Sequence, residues 1–328
     1  MKNFLLILFL LLLAGCSQSE IGQNRNITLC GASPSGLWSL LGTGIDAAMK
    51  ASYPDATVTY QTSGGGFANV RGLQEGRCEI ALIHDAEAKI AANGEPPFSE
   101  QHSNLRTIAA LYNWAPLQLI VSKAFADEYQ VASLEDIIRK QVPVRILLNR
   151  RGNISSQVGE ALINAAGATL EEISDWGGKV TFAASDEQGD LIRDRRADAI
   201  FNSLFVGHSS ILQIADAIDV VLLPVSGETA NKVADEFGII PYTIPRGAYE
   251  WNNRDVLTVS LSAHLFALES YPEKRVQELA TALLTNLDHL QMVHTAMQPL
   301  NSDLMISSNT IPYHTGAIAA YTLAGIMQ

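Results

Sequence analysis

The sequence predicts an α/β protein of two lobes around a hinge and cleft. Segments of strand period and helix period alternate along the chain. Two long β-type runs, 116–122 and 256–265, bracket a second such series. The 328 residues also exceed what one hydrophobic core usually fills.

In the first series, residues 27–30 read as a strand, and Gly31-Ala32-Ser33-Pro34-Ser35-Gly36 as a turn. Leu37, Leu41, Ile45, Ala48 and Met49 then recur at helical spacing. Residues 56–61 alternate as a second strand, and 62–66 form a glycine-rich turn. Phe67, Val70 and Leu73 mark a short helix ended by Gly76. Residues 79–84 are a third strand. In the second series, strands at 144–148, 180–182 and 199–201 alternate with helices at 155–166 and 186–193. Val276, Leu279, Leu283, Leu287 and Leu290 share one face and predict a single long helix over 273–293. The first lobe is placed at 27–120 with 257–328, the second at 121–256.

The N-terminus sets the compartment. Lys2 precedes an unbroken apolar run at 4–13, which suits a signal-peptide core and is shorter than the ~20 residues of a membrane span. Leu13-Ala14-Gly15-Cys16 resembles the lipobox of bacterial lipoproteins. Cleavage of 1–15 would leave a diacylated Cys16 on a polar tether, 16–26. The expected location is across the cytoplasmic membrane, on the periplasmic or cell-surface side. Without Lys2 the chain carries 34 acids against 21 bases, a net charge of −13. Such a balance excludes a nucleic-acid partner and adhesion to anionic headgroups, but not a small anionic ligand. Cys30 and Cys78 are expected as buried free thiols. Adjacent parallel strands would hold them at opposite sheet ends, beyond the ~4.4–6.8 Å Cα separation of a bridge; an oxidising compartment would still permit one.

In open α/β sheets, ligands bind beyond the C-terminal strand ends. Residues 31–38, 63–69, His84, 150–156 and 205–208 therefore surround one cleft. A carboxylate needs several donors aimed at one place, and helix N-termini supply free N–H groups and partial positive charge. Three such ends converge, near Ser35 and Gly36, near Gly66, and near Asn153. Gly64, Gly65 and Gly66 would cost backbone entropy unless close approach is needed. Ser63 and Asn69 can reach the ligand or brace the loop. Trp38 can wall the cleft or fill the core, and His84 ends a strand aimed at it. Tyr112 and His208 are weaker candidates. Arg150 and Arg151 present forked donors matched to a carboxylate, with solvated surface charge as the plainer role. Asn153, Ser155 and Ser156 can close over the ligand from the second lobe.

Six segments, in order, resemble the TAXI family of TRAP-transporter solute-binding proteins. Gly31-Ala32-Ser33-Pro34-Ser35-Gly36-Leu37-Trp38 is similar to its Gly-x-Ser-x-Gly-Gly-Thr-Tyr, and Gly64-Gly65-Gly66-Phe67-Ala68-Asn69 to its Gly-Gly-Ser-x-x-Asn. Asn104-Leu105-Arg106-Thr107-Ile108-Ala109-Ala110-Leu111-Tyr112, Ile244-Pro245-Arg246-Gly247-Ala248-Tyr249, Asp255-Val256-Leu257-Thr258 and Pro312-Tyr313-His314-Thr315-Gly316-Ala317 complete the set. The resemblance implies a type II periplasmic-binding-protein fold, a monomer with no cofactor, and delivery of a glutamate-like or related organic acid to an ion-gradient-driven TRAP permease. Departures bear on the ligand: Gly66 replaces a serine, Trp38 a tyrosine and His84 a glutamine. The second-lobe loop reads Asn149-Arg150-Arg151-Gly152-Asn153.

An ABC-type receptor or a ligand sensor of the same fold remains open. Enzymatic signals are poor. Gly42-Thr43-Gly44-Ile45-Asp46-Ala47 matches a dinucleotide fingerprint only formally, because it lies inside a helical pattern. No Gly-x-Ser-x-Gly, His-Glu-x-x-His or Cys-x-x-Cys occurs, and the seven histidines are too scattered for a metal site. Neither catalysis nor a metal is expected.

Overall fold

The computed structural model describes residues 25–327 apart from Ser35. The leader with Cys16, and Ser35 in the first loop, lie outside the described residues. From the N-terminal end run β1 (Asn26–Cys30), α1 (Leu37–Ser52), β2 (Thr57–Gln61), α2 (Gly66–Gln74), β3 (Ile80–His84) and α3 (Asp85–Asn93). β1 pairs in parallel with β2 and β3, as successive crossovers through helices require. Helices cover both faces, so Ile80, Leu82 and Ile83 of β3 are fully buried. The chain then crosses in β4 (Leu105–Ser122).

The second lobe contains α4 (Lys123–Tyr129), α5 (Leu134–Arg139), β5 (Arg145–Leu148), α6 (Ile154–Ala165), α7 (Leu170–Asp175), β6 (Lys179–Phe182), α8 (Ser185–Arg193), β7 (Ala199–Ser203), α9 (Ser209–Ala217), β8 (Val220–Leu223), α10 (Gly227–Phe237) and β9 (Ile240–Ile244). The return is β10 (Val256–Leu268), followed by α11 (Glu273–Thr285), α12 (Leu287–Gln291), a 3-10 turn at Thr295–Met297, α13 (Ser302–Met305) and α14 (Thr315–Leu323).

The strand order is β2-β1-β3-β10-β4-β7-β5-β6, with β9 on β10 and β8 on β4. β4 and β10 pair antiparallel between Leu105/Leu268 and Pro116/Ser260. Past that point β4 continues along β7 and β8, and β10 along β9. Both long strands are thus shared, and they form the hinge of the expected two-lobed α/β fold. Among the described residues no helix is long and apolar enough to cross a membrane.

Two expectations are corrected. The helix over 273–293 is broken at Asn286, whose backbone leaves helical geometry (φ −118°, ψ 43°). Its amide donates to the Ala48 carbonyl (3.2 Å) and to Ser52 Oγ (2.8 Å) of α1. That bond draws the chain onto α1, where Gly44 has no side chain to hold α12 away. The apolar spacing continues through the break, so periodicity alone did not reveal it.

Cys30 and Cys78 are not free thiols but a disulfide, with Cα atoms 5.8 Å apart. The strands are staggered: Leu29 pairs with Ile80 and Cys30 with Ala81. β3 therefore begins level with the end of β1, and Cys78 lies beyond its edge, after α2. Gly72 of α2 packs over the bridge, where a Cβ would stand 3.0 Å from Cys30 Sγ and 3.2 Å from Cys78 Sγ. The bridge closes a loop spanning 48 positions, and loop-closure entropy assigns it about 4 kcal/mol. Replacing both cysteines by alanine should lower Tm by about 10 °C, measured by circular dichroism. Alkylation of both thiols in denatured, unreduced protein would refute the bridge.

Candidate functional site

A cavity of about 280 Å³ lies where strand ends of the two lobes face each other. The first lobe contributes Ala32, Gly36, Leu37 and Trp38 after β1, Gly64, Gly65 and Gly66 after β2, and His84 and Glu87 after β3. Tyr112, Trp114 and Ala115 enter from β4 at the hinge. The second lobe contributes Gly152 and Asn153 after β5, and Ser203, Leu204, Phe205 and His208 around the end of β7.

The first-lobe loops are held by polar side chains whose donors are already taken by the backbone and by each other. Asn69 is fully buried, and its Nδ2 donates to the carbonyls of Gly31 (2.7 Å), Leu82 (2.6 Å) and Cys30 (3.3 Å). Its Oδ1 lies 2.5 Å from Ser63 Oγ, whose one proton is shared between that oxygen and the Gly31 carbonyl (2.7 Å) while the hydroxyl oxygen accepts from the Gly65 amide (3.0 Å). Asn69 and Ser63 therefore brace the site. Tyr60 adds a further tie, its hydroxyl accepting from the Ala32 amide at 2.6 Å. Gly65 adopts φ +100°, ψ −165°, a region open to glycine.

Trp38 walls the cavity. Its Nε1 donates to the Tyr112 hydroxyl (2.9 Å), and its ring lies 4.8 Å from that of His84. Burial pushes the Tyr112 phenol up, so it stays protonated. His84 opens α3, with its amide (3.1 Å) and Nδ1 (2.9 Å) both facing Glu87 Oε2. The Glu87 carboxylate fills the space a Cβ on Gly66 would need, which explains the glycine that begins α2.

In the second lobe the buried interior is a network of neutral groups. Asn202 Oδ1 accepts from Asn149 Nδ2 (3.0 Å) and Ser155 Oγ (2.8 Å), while its Nδ2 donates to Gln188 Oε1 and Ser185 Oγ (2.9 Å each). Ser155 Oγ also accepts from the Ser203 amide (2.8 Å), and Ser156 Oγ donates to the Asn153 carbonyl (2.8 Å). Both serines are spent on structure. Asn153 caps α6 through the Ser155 amide (2.9 Å) and reaches the cavity. Arg150 and Arg151, expected in the cleft, point outward. Arg150 is exposed and 3.8 Å from Glu187, and the Arg151 guanidinium lies 3.9 Å over the Phe182 ring. Nothing in the neutral interior would offset the desolvation of a guanidinium.

Phe205 stands edge-on between His208 (5.0 Å) of its own lobe and His294 (4.9 Å) of the other. Burial, with His294 nearby, holds the His208 pKa below the usual imidazole range. Phe205 lies in the stretch 205–208 expected at the cleft, while Glu87 and Trp114 went unnoticed in the sequence. Only Glu87 left a signal there, an acid at the third position of a helix that follows a strand-ending residue.

Asn69→Ala would remove the side-chain donor of the Leu82 carbonyl and leave the Gly31 carbonyl to Ser63 alone. A loss of roughly 3 kcal/mol is expected, read as a lower urea midpoint. Beneath the cavity, Asp85 accepts from the Ala86 (2.9 Å) and Ser262 (3.3 Å) amides, and burial pushes its pKa up to about 6. A raised carboxyl pKa favours the folded state when protonated. Its stability contribution is therefore present at low pH and is lost as pH rises from about 4 through about 6. Asp85→Asn should stabilise the protein at pH 7 by up to roughly 3 kcal/mol and leave it unchanged at pH 4, in paired urea titrations.

Several solved structures superpose over nearly the whole chain. The periplasmic binding protein BugD does so with a TM-score of 0.54 at 13% identity, over 93% of this chain and 95% of its own. MatC from Rhodopseudomonas palustris, with bound malate, gives 0.53 at 14% identity, covering 83% and 88%. PhnD1 from Prochlorococcus marinus, in complex with methylphosphonate, gives 0.53 at 13% identity, covering 84% and 90%. At these identities the likeness is one of fold, the periplasmic-binding-protein fold. No curated protein sequence matches. The NMT1-like family model matches residues 29–325, and the chain belongs to the NMT1-like family.

Proposed function

We propose that this protein is an extracytoplasmic solute-binding lipoprotein. It captures a small carboxylate-bearing solute, glutamate-like or a related organic acid, and hands it to an ion-gradient-driven TRAP permease. One observation carries the reading: a single small cavity is walled by loops of both lobes, beside the two strands that join them. Lobes 27–120 with 257–328, and 121–256, would rotate about β4 and β10 to enclose the solute. The carboxylate belongs at the start of α1. Gly36 there brings no side chain to the first amides, and the positive end of the helix dipole faces the hollow. The order of motifs resembling the TAXI family supports the permease partner. The buried disulfide suits an oxidising compartment, and Cys16 would supply the anchor. Malate and methylphosphonate, held by MatC and PhnD1, are small anions of comparable kind.

A thermal-shift screen of amino acids, dicarboxylates, keto acids and sugars should find a solute that raises Tm by several degrees. At a hundred times Kd the stabilisation is about 2.7 kcal/mol. X-ray scattering should then show a smaller radius of gyration with that solute. A screen without any hit, or binding without compaction, would reject the reading. Intact mass of detergent-extracted protein should show a diacylated Cys16, and Cys16→Ser should release the protein from membranes.

A further inference from the structure

We infer that the solute carries a protonated nitrogen and that Glu87 is its counter-charge. This rests on the solute-binding reading above and narrows it. Glu87 is 3% exposed, yet it lines the cavity. Its Oε2 is taken by the amide and Nδ1 of His84. Among the described residues Oε1 has no hydrogen-bond partner. Oε1 is not one of the fully buried atoms that lack a partner, so it keeps access to the cavity it lines, where an N–H⁺ group can donate to it. No lysine or arginine lines the cavity among the described residues; His84, the one basic side chain on Glu87, lies on Oε2 and leaves Oε1 to the solute.

The same carboxylate changes the electrostatics of the glycine loop. It sits in the space beside Gly66, at the N-terminal end of α2, and it also belongs to the first turn of α3. Two helix ends that would attract an anion already face one that the protein provides. A solute carboxylate approaching Gly64, Gly65 and Gly66 would meet like charge. At α1 it would not. A zwitterion satisfies both regions, its carboxylate at Gly36 and Leu37 and its nitrogen at Glu87. The rings of Trp38, Tyr112, Trp114 and Phe205 bound the same hollow, a surface that attracts a cation and repels a second carboxylate.

Calorimetry with probes of matched size tests this. L-Glutamate and 4-aminobutyrate carry both charges, glutarate and 2-oxoglutarate lack the nitrogen, and n-butylamine lacks the carboxylate. A nitrogen-bearing probe should bind, with the nitrogen-free acids on the order of thirtyfold weaker. Glu87→Gln, equal in size and uncharged, should weaken the nitrogen-bearing probe by a similar factor and erase the preference. The comparison on the wild-type protein stands whether or not that variant folds. If glutarate or 2-oxoglutarate binds as tightly as L-glutamate and 4-aminobutyrate, or Glu87→Gln leaves affinity unchanged, the inference fails while solute binding stands. Binding of n-butylamine alone would keep the role of Glu87 and remove the carboxylate from the reading above. Silence from every probe would overturn both.

Discussion

The position of α2 depends on one buried amide. The sheet leaves carbonyls unsatisfied where parallel strands run out, and loops beyond them have no ladder to hold them. Asn69 supplies both needs at once, bonding the ends of β1 and β3 and, through Ser63, the turn after β2. Gly72, one turn further along α2, lies on the disulfide between Cys30 and Cys78. The helix is therefore fixed to the sheet at two levels, by hydrogen bonds near its start and by close packing on sulfur nearer its end. Everything its first residue faces, including the Glu87 carboxylate, inherits that placement.

The two lobes bring different chemistry to the cleft. The first contributes rings and a carboxylate, Trp38, Tyr112, His84 and Glu87. Behind the second lobe's wall lie amides and hydroxyls that satisfy one another, with Asn202 at their centre. A neutral network of this kind fixes geometry without adding charge. The charges of that lobe stay at its rim, where Arg150 meets Glu187 and Arg151 lies on Phe182. A protein with a strongly acidic balance thus keeps even its nearest arginines out of its own cavity.

Much of the fold was legible because it follows from period and punctuation. The β-loop-helix units of the first lobe appear in sequence as alternation, a glycine turn and then helical spacing, and Ala32, Trp38, residues 64–66, His84, residues 152–153, Phe205 and His208 line one cavity. What escaped depended on register and on side-chain competition. The stagger of β1 against β3 is invisible to a local pattern, yet it decides whether Cys30 and Cys78 meet. Asn286 breaks a helix whose apolar face continues without interruption. The polar residues of the loops read equally well as ligand donors or as braces; only their partners show that Asn69, Ser63, Ser155 and Ser156 are braces. Arginines after a buried strand were read as inward-facing, whereas Asn149 and Asn153 take the inward positions.

The interruption at Asn286 also redirects the chain after α12 across the mouth of the cleft. Trp114 clasps it there through the Ala296 carbonyl (2.7 Å), and His294 touches Phe205 of the opposite lobe. An uninterrupted rod to Val293 would have carried this segment elsewhere. Swinging the lobes apart must part the two rings, a contact worth about 1 kcal/mol. That makes the pair a light catch, enough to bias the angle between the lobes yet within reach of thermal motion.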